Sequence, residues 1–473
     1  MSVPSPAVVD ALRAELDERA VLTGDDAEAF LLDQRQGRIA DEAVVVRPAD
    51  TEGVAATVRI CADHGVAIVP QGGNTGLSLG TVVPTDRPAI VLSLARLNRI
   101  ESVDPERWTI TAQAGVTIEA IQQAARTVNR VFAPDWGARG TATIGGAIST
   151  DAGGNNVLRY GNTRDNVMGI EAVLADGSVW DGRRALVKDS SGYDLKHLFI
   201  GGEGTLGIVT SAVLKLHPAT TYETSLMAAI TGLDALAALI ELAHLHAPGA
   251  VTAFELVPDV AMDRVVEVFG VTKPIDAGTE YSILVKLAAS VPVDDQIAAF
   301  LEAAAEAGHL VDAIVAGTPE QEANLWAMRD HCSPTQCWIE YQKHGLKLDT
   351  AVPVDRIADF IESMAAAAAR IAPMAITYGF GHVGDGNIHL WVLPVTDDAV
   401  EPYLAVRDEM TAEADRLVFS LGGTLSAEHG VGRLLRDRVG PQKPAVEWEM
   451  MRSIKRALDP DDLFNPGALI PPP

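Results

Sequence analysis

Only three of the 473 residues are cysteines, Cys61, Cys332 and Cys337. An odd, small number gives no disulfide framework and fits a reducing cytoplasm. Cys332 and Cys337 lack a matching second pair, which argues against a thiolate zinc site, and no cysteine run for an iron–sulfur cluster is present. Positive charge is scarce: 37 Lys and Arg stand against 64 Asp and Glu, a net charge of -27. That balance argues against nucleic acid or an anionic membrane surface as partner, and an anionic ligand would need local cations to overcome the general field. No stretch approaches the ~20 apolar residues of a membrane span. The Ala-rich run Met364 to Ala369 ends at Arg370 and reads as helix. The first residues, Met1-Ser2-Val3-Pro4-Ser5-Pro6, show no basic region followed by an apolar run, so no signal peptide is expected. Neither GxGxxG before a helix nor the GK[ST] of a P-loop occurs at the first glycine loop, which weakens a nicotinamide or nucleoside-triphosphate reading. Internal repeats and low-complexity linkers are absent as well.

What remains is an ordinary globular composition, 48% hydrophobic and 21% charged, in a chain too long for one compact core. Residues 7–32 read as two short amphipathic helices, broken and capped at Thr23-Gly24-Asp25-Asp26. Ala43 to Val46 reads as a strand. Asp50 caps a helix with apolar Val54, Ala55, Val58 and Cys61, and a second strand, Val66 to Val69, runs into Pro70-Gln71-Gly72-Gly73-Asn74-Thr75-Gly76. This α/β unit ends in a loop whose bare backbone N–H groups suit a phosphate. Gly140 to Asn156 contains almost nothing large or charged, which suggests backbone lying directly against a flat or extended ligand. A third loop, Gly201-Gly202-Glu203-Gly204-Thr205-Leu206-Gly207, leads into a β-branched strand, and Asp176-Gly177 reads as a hairpin turn. Three Gly/Thr/Ser loops on one α+β frame fit a large dinucleotide held mainly by main chain.

After His217-Pro218 the pattern changes. Strand-like runs at 224–230, 251–257, 281–287 and 310–315 alternate with helical runs at 233–246 and 294–307, which predicts a small antiparallel sheet covered on one face by helices. Residues 398–420 read as a long helix. Between them lies Gly381-His382-Val383-Gly384-Asp385-Gly386-Asn387-Ile388-His389, flanked by strand formers, and further on Ser426-Ala427-Glu428-His429-Gly430. Two flanking strands bring both imidazoles to one rim. A single histidine is most often a satisfied structural one. Two histidines with Glu428 form a two-His, one-carboxylate set with an open position for a substrate oxygen, beside which His429 can serve as a base.

Pro70 to Gly76, Ile144 to Gly154, Gly201 to Thr210 and Asn465-Pro466-Gly467 resemble the FAD-linked oxidases of the vanillyl-alcohol oxidase type. With Gly381 to His389 and Ser426 to Gly432 added, the chain is similar to their D-2-hydroxyacid dehydrogenase branch, over nearly its whole length. The resemblance implies an α+β fold: a two-part FAD-binding domain (1–217), an inserted antiparallel-sheet substrate, or cap, domain (218–420), and a helical C-terminal return (421–473). It implies that FAD is held by Pro70, Gln71, Gly72, Gly73, Asn74, Thr75 and Gly76, by Gly145, Gly146, Ser149, Thr150, Gly153 and Gly154, by Gly204, Gly207, Ile208 and Val209, and by Asn465. Residues 70–80 contain no histidine, so the FAD is expected to be non-covalent. Asp151 stands where relatives often have Asn.

An alcohol proton is poorly acidic, and a divalent metal eases its removal as it eases that of bound water, whose pKa falls from 15.7 to about 7. By resemblance His382, His389 and Glu428 hold Zn2+, with Mn2+ or Fe2+ as alternatives, and His429 takes the proton. Arg329 and Lys347 are the expected carboxylate partners: Leu-Trp-x-x-Arg and Lys-x-Asp-x-x-x-Pro recur in substrate sites of the branch. Ser333 is a third contact. Relatives acting on 2-hydroxyglutarate commonly follow the second histidine with Leu-Asn, whereas Leu390-Trp391 follows His389 here. A strand residue two positions on faces the same side, so Trp391 is expected to replace a polar contact with an apolar wall. The implied reaction is oxidation of a small anionic D-2-hydroxyacid, either 2-hydroxyglutarate or a broad range, with D-lactate, glycolate or D-mandelate as alternatives. Electrons pass to a separate acceptor such as an electron-transfer flavoprotein or a quinone. A homodimer is compatible with this reading. A redox-neutral flavin transferase of the alkylglycerone-phosphate synthase type is the alternative of another class.

Overall fold

The computed structural model describes all residues except 1, 2, 18, 34–36, 39, 41, 85, 472 and 473. The chain divides into two compact units. One comprises Met1–Gly154, Tyr160–Ala219 and Glu428–Pro473; the other comprises Asn155–Arg159 and Thr220–Ala427. The divisions after Ala219 and Ala427 compare with the expected ones after residues 217 and 420.

In the first unit, Val44–Val46 and Ala67–Gln71 both run parallel to Ala89–Ser93, which lies between them. The helix Thr51–Asp63 connects the outer two, and Asp50 caps it by accepting from the Gly53 N–H at 2.9 Å. Such a cap is worth about 1 kcal/mol. All of Ala89–Ser93 is buried because both faces are covered. Ile90 and Leu92 pack with the helix residues Val54, Val58 and Cys61, while Val91 packs with Ala27 and Leu31 on the other side. Ala27 lies in a 3-10 segment, Gly24–Phe30. The second of the two expected N-terminal helices is therefore this tighter turn, because three acidic residues among seven leave too little apolar stripe to bury a longer α-helix.

A five-stranded antiparallel sheet follows, ordered Val179–Asp181, Val167–Val173, Ile208–Lys215, Thr109–Gln113 and Ile100–Asp104. The Asp176-Gly177 turn joins the first two as expected, with Gly177 at φ +77°. The stretch from Ile144 departs from the expected loop: Ile144–Thr150 is a short helix that buries Ile144, Ala147 and Ile148 on this sheet. Small residues that suit ligand approach also suit close helix packing; a Cβ on Gly145 would meet the Ala114 Cβ at 2.7 Å. The C-terminal segment returns beside Ala67–Gln71, where Ile68 donates to Leu463 and Asn465 donates to Ile68, both at 2.8 Å. Lys455, on the helix Ala445–Leu458, donates to the carbonyls of Thr205 and Phe464 and pairs with buried Asp459. Asp459 in turn accepts the amides of Leu463 and Phe464.

The second unit holds two antiparallel sheets. The first is ordered Val251–Pro258, Tyr281–Ala289, Tyr222–Ile230 and Leu310–Val315. The expected one-sided cover is corrected: every residue from Ser225 to Ile230 is buried, so both faces are covered. Met227 and Ala229 pack with Val265 of the helix Asp259–Phe269 and Met328 of the helix Pro319–His331. Helices Leu236–His246 and Asp294–Glu306 also pack on this sheet, through its strands Val251–Pro258 and Leu310–Val315. The second sheet places Asn387–Pro394 between Leu346–Ala351 and Ala375–Phe380. The long helix Asp397–Ser420 packs on it, with the Tyr403 hydroxyl donating to the Val392 carbonyl at 2.7 Å. No helix among the described residues is long and apolar enough to cross a membrane.

Candidate active site

In the first unit a cavity of about 510 Å3 is lined by Phe30, Gln71, Gly72, Gly73, Asn74, Ser93, Asn98, Thr117, Gly140, Thr141 and Thr143, among others. The loop after Ala67–Gln71 lies directly on the segment before Ile144. A Cβ on Gly73 would fall 2.0 Å from the Thr141 carbonyl oxygen, and one on Gly72 would fall 2.5 Å from Thr143 Oγ1. Only glycine permits this approach, which leaves main-chain groups as the cavity wall. Thr143 Oγ1 is buried and has no hydrogen-bond partner among the described residues, a polar atom that a ligand phosphate or hydroxyl would satisfy. Backbone walls with an orphaned hydroxyl fit the dinucleotide expected at Pro70 to Gly76.

Other residues expected at that cofactor have structural partners in the chain. The Gln71 side chain donates to the Phe30 carbonyl at 3.0 Å. Ser149 and Thr150 donate to the carbonyls of Gly145 and Gly146 within their own helix. A Cβ on Gly204 would meet Pro70 Cγ at 2.4 Å, so this loop packs on the first one. Ile208 and Val209 send their side chains into two hydrophobic cores, which leaves only their main chain for a ligand. The Asn465 amide nitrogen donates to Gly80 and Glu203 carbonyls, tying the C-terminal return to two loops. Asp151 ends its helix in the left-handed region and holds Arg164 through the backbone amide at 2.9 Å and Nε at 3.0 Å. Tyr193 is exposed. The Glu428–Gly432 segment is fixed by Ser78 Oγ on the His429 and Gly430 carbonyls and by Glu203, which accepts from the amides of Val431 and Gly432. Burial raises the Glu203 pKa against the pull of those two amides. His429 Nε2 lies 3.4 Å from Glu428 Oε1.

In the second unit His382 and His389 meet, their ring centroids 5.3 Å apart. The Gly-rich turn makes this possible: Gly381 has φ +113°, and a Cβ there would fall 2.8 Å from His389 Cδ2. His389 stands on the central strand opposite Asp349 and Phe380, and Trp391 opposite Lys347 and Tyr378. The Lys347 Nζ lies 5.8 Å from the Trp391 ring centre. Trp391 is buried against Tyr378, Phe380 and Met328, and its Nε1 has no partner among the described residues. Ser333 caps the short helix Pro334–Cys337, accepting from the Thr335 amide at 3.4 Å. Segment 424–427 runs along Leu346–Ala351: Thr424 donates to Ala351, and Ala427 donates to Asp349 at 3.2 Å.

One acidic residue was part of the Lys-x-Asp motif without an assigned role, and a second escaped sequence reasoning altogether. Asp349, beside the expected Lys347, accepts from Asn387 Nδ2 at 2.9 Å, and its Oδ1 lies 3.6 Å from His389 Nδ1. Glu255, on Val251–Pro258, has only 1% of its side chain exposed. It accepts from Arg329 Nε at 2.8 Å and from His382 Nδ1 at 2.7 Å, and Arg329 also donates to His382 Nε2 at 3.1 Å. Burial pushes the Glu255 carboxyl up, but the Arg329 guanidinium and His382 outweigh it and hold it well below the usual carboxylate range. The one available signal was a glutamate inside the apolar run Val251-Thr252-Ala253-Phe254-Glu255-Leu256-Val257.

The FAD binding domain model matches residues 42–183, and that of the C-terminal domain of FAD linked oxidases matches 223–469. A D-2-hydroxyglutarate dehydrogenase of Xanthomonas citri pv. viticola is 35% identical over 90% of this chain and 88% of its own. That of Stutzerimonas stutzeri is 32% identical over 98% and 99%, and the mitochondrial one of Bos taurus is 33% identical over 90% and 77%. Among solved structures, p-cresol methylhydroxylase superimposes with a TM-score of 0.74 at 17% identity, covering 99% of this chain and 98% of that one. Alkyldihydroxyacetonephosphate synthase gives 0.73 at 16%, covering 98% and 86%. At these identities the likeness shows the fold alone. The cavity walled by glycine backbone, the paired histidines and the matches along both halves make this chain a member of the FAD-linked oxidases of the vanillyl-alcohol oxidase type, in their D-2-hydroxyacid dehydrogenase branch.

Proposed function

We propose that this protein oxidises a D-2-hydroxyacid to the 2-oxoacid and passes the electrons to a separate acceptor. The observation that carries the reading is the meeting of His382, His389 and the half-buried Arg329 within the second unit, in a chain that also carries the FAD-binding domain. FAD, non-covalently bound, supplies the hydride acceptor at N5. Arg329 offers a planar fork and Lys347 a point charge for the substrate carboxylate, in a chain whose overall net charge is -27. His382 and His389 with Glu428 offer the nitrogen and oxygen donors of a catalytic divalent-metal site, for which Zn2+, Mn2+ and Fe2+ are all suitable. Glu428 follows directly on Ala427, whose amide is bound to Asp349 on the strand beside His389, and this supports its membership of the set. A divalent cation held there supplies the Lewis acidity that a weakly acidic alcohol requires. His429 takes the hydroxyl proton as C2 gives up its hydride, so that one proton and one hydride leave the substrate together with no further reactant.

D-2-hydroxyglutarate, or a broad range of D-2-hydroxyacids, is the leading substrate class, supported by the relatives' activity. The buried ring of Trp391, on the same strand face as His389, favours an apolar or aromatic substituent on C2 instead, as in D-lactate and D-mandelate, and glycolate, which has no such substituent, completes the comparison. Anaerobic mixing of the metal-replete protein with a panel of these acids tests the reading. D-acids should bleach the visible flavin band and L-isomers should not; no bleaching by any acid of the panel sinks it.

A further inference from the structure

Arginine has no acceptor atom and is always a donor, so the N–H of Arg329 that lies 3.1 Å from His382 Nε2 requires a lone pair there. The proton of His382 is then on Nδ1, where Glu255 Oε1 receives it at 2.7 Å. Glu255 thus fixes the tautomer of the histidine and, through its other oxygen, the position of the guanidinium. A carboxylate behind an imidazole is the arrangement that orients metal-ligating histidines and raises their basicity. Nε2 has one lone pair. It serves an Arg329 N–H or a metal ion, not both.

We propose that Glu255 is a positioning residue for the metal and that Arg329 competes with the metal for His382 Nε2, being released towards the substrate carboxylate when the metal takes that lone pair. The inference rests on the metal reading above and deepens it. Glu255 holds Arg329 by Nε, so the guanidinium stays at the site after it gives up Nε2, and its terminal N–H groups become the carboxylate's partners. Metal uptake therefore precedes tight binding of the acid.

The test is Zn2+ affinity of the flavin-loaded, chelator-stripped protein, measured by competition with a chromophoric chelator, with His389→Ala as the blank. Glu255→Gln should bind Zn2+ about 10- to 100-fold more weakly. Arg329→Met should bind it more tightly than the parent, by about tenfold. A purely structural role for the pair would weaken binding in both variants. Unchanged affinity in Glu255→Gln, or equal or weaker affinity in Arg329→Met, overturns the proposal. If Glu255→Gln loses its flavin or its melting transition, the neutral pair Glu255→Gln/Arg329→Met replaces it, and it should bind more weakly than Arg329→Met alone. A parent protein that takes up none of Zn2+, Mn2+ and Fe2+ refutes the metal reading itself, an outcome distinct from a parent that binds while its variants fail to diverge.

Discussion

Arg329 and His382 share one carboxylate, Glu255, and touch each other at 3.1 Å, although they lie 53 residues apart. The candidate cation for the substrate and the candidate ligand for the metal therefore belong to a single buried hydrogen-bonded group. Perturbing either should register at the other.

Removing the metal should stop turnover while leaving the flavin in place. Overnight treatment with EDTA and desalting is expected to lower kcat by at least about a hundredfold, since Lewis acidity contributes several kcal/mol and each 1.36 kcal/mol is tenfold. Added Zn2+ or Mn2+ should restore it, and the visible spectrum should not change. Full activity in a protein shown by elemental analysis to be metal-free would eliminate the metal from the chemistry.

His429→Asn keeps a polar side chain and removes the base. With the backbone carbonyl still held by Ser78, the fold and flavin content should be retained while kcat falls by about 10²- to 10⁴-fold. Steady-state rates against pH, together with the flavin absorbance of the purified variant, check this. A loss below tenfold assigns the proton transfer to another group.

Gly73→Ala attacks the cavity of the first unit. Its Cβ would lie 2.0 Å from the Thr141 carbonyl oxygen, so either the loop or the segment before Ile144 must move. FAD occupancy after purification, read as the ratio of flavin to protein absorbance, should drop severalfold. Wild-type occupancy would show that the loop does not wall the flavin.

Trp391→Asn tests the choice of substrate. The indole is buried and its Nε1 lacks a partner, so a polar residue of smaller volume opens space and adds a donor and an acceptor near Lys347. The ratio of kcat/KM for D-2-hydroxyglutarate to that for D-mandelate should rise by about tenfold or more. An unchanged ranking removes Trp391 from the determinants of specificity.

The cysteines should be silent in the native protein. All three are buried, and burial pushes the Cys61 thiol from its ordinary 9.0 up to about 12 and Cys337 up to about 11. A chromogenic disulfide reagent at pH 8 should react with none of them until denaturant is added, and then with three. The linked effect on stability has a definite sign: it is fully present below the ordinary value of the unfolded thiol and is lost as pH rises towards the folded values. Rapid modification of any native thiol contradicts the burial of that residue.

Much of this protein was legible along the chain. Alternation, caps and turns located the strand at Val44–Val46, the Asp50 cap, the Asp176-Gly177 hairpin and the helix at Asp397–Ser420, because each depends on neighbours within a few residues. Gly381 to His389 was legible for the same reason, since a hairpin brings its own two histidines together. The helix at Ile144–Thr150 was less so: its small residues are compatible with a loop against a ligand, and only packing on the antiparallel sheet selects the helix.

The amino-acid order by itself determined the glycine loops, the paired histidines, the scarcity of cations and the family to which these belong, all of them properties of local spacing and composition. Tertiary structure alone decided the partners. Glu255 lies 74 residues from Arg329 and 127 from His382, and nothing in the intervening chain marks those distances for closure. The carboxylate is tolerated in an apolar strand only because folding delivers a guanidinium and an imidazole to it, and a charge buried without them would be too costly to keep.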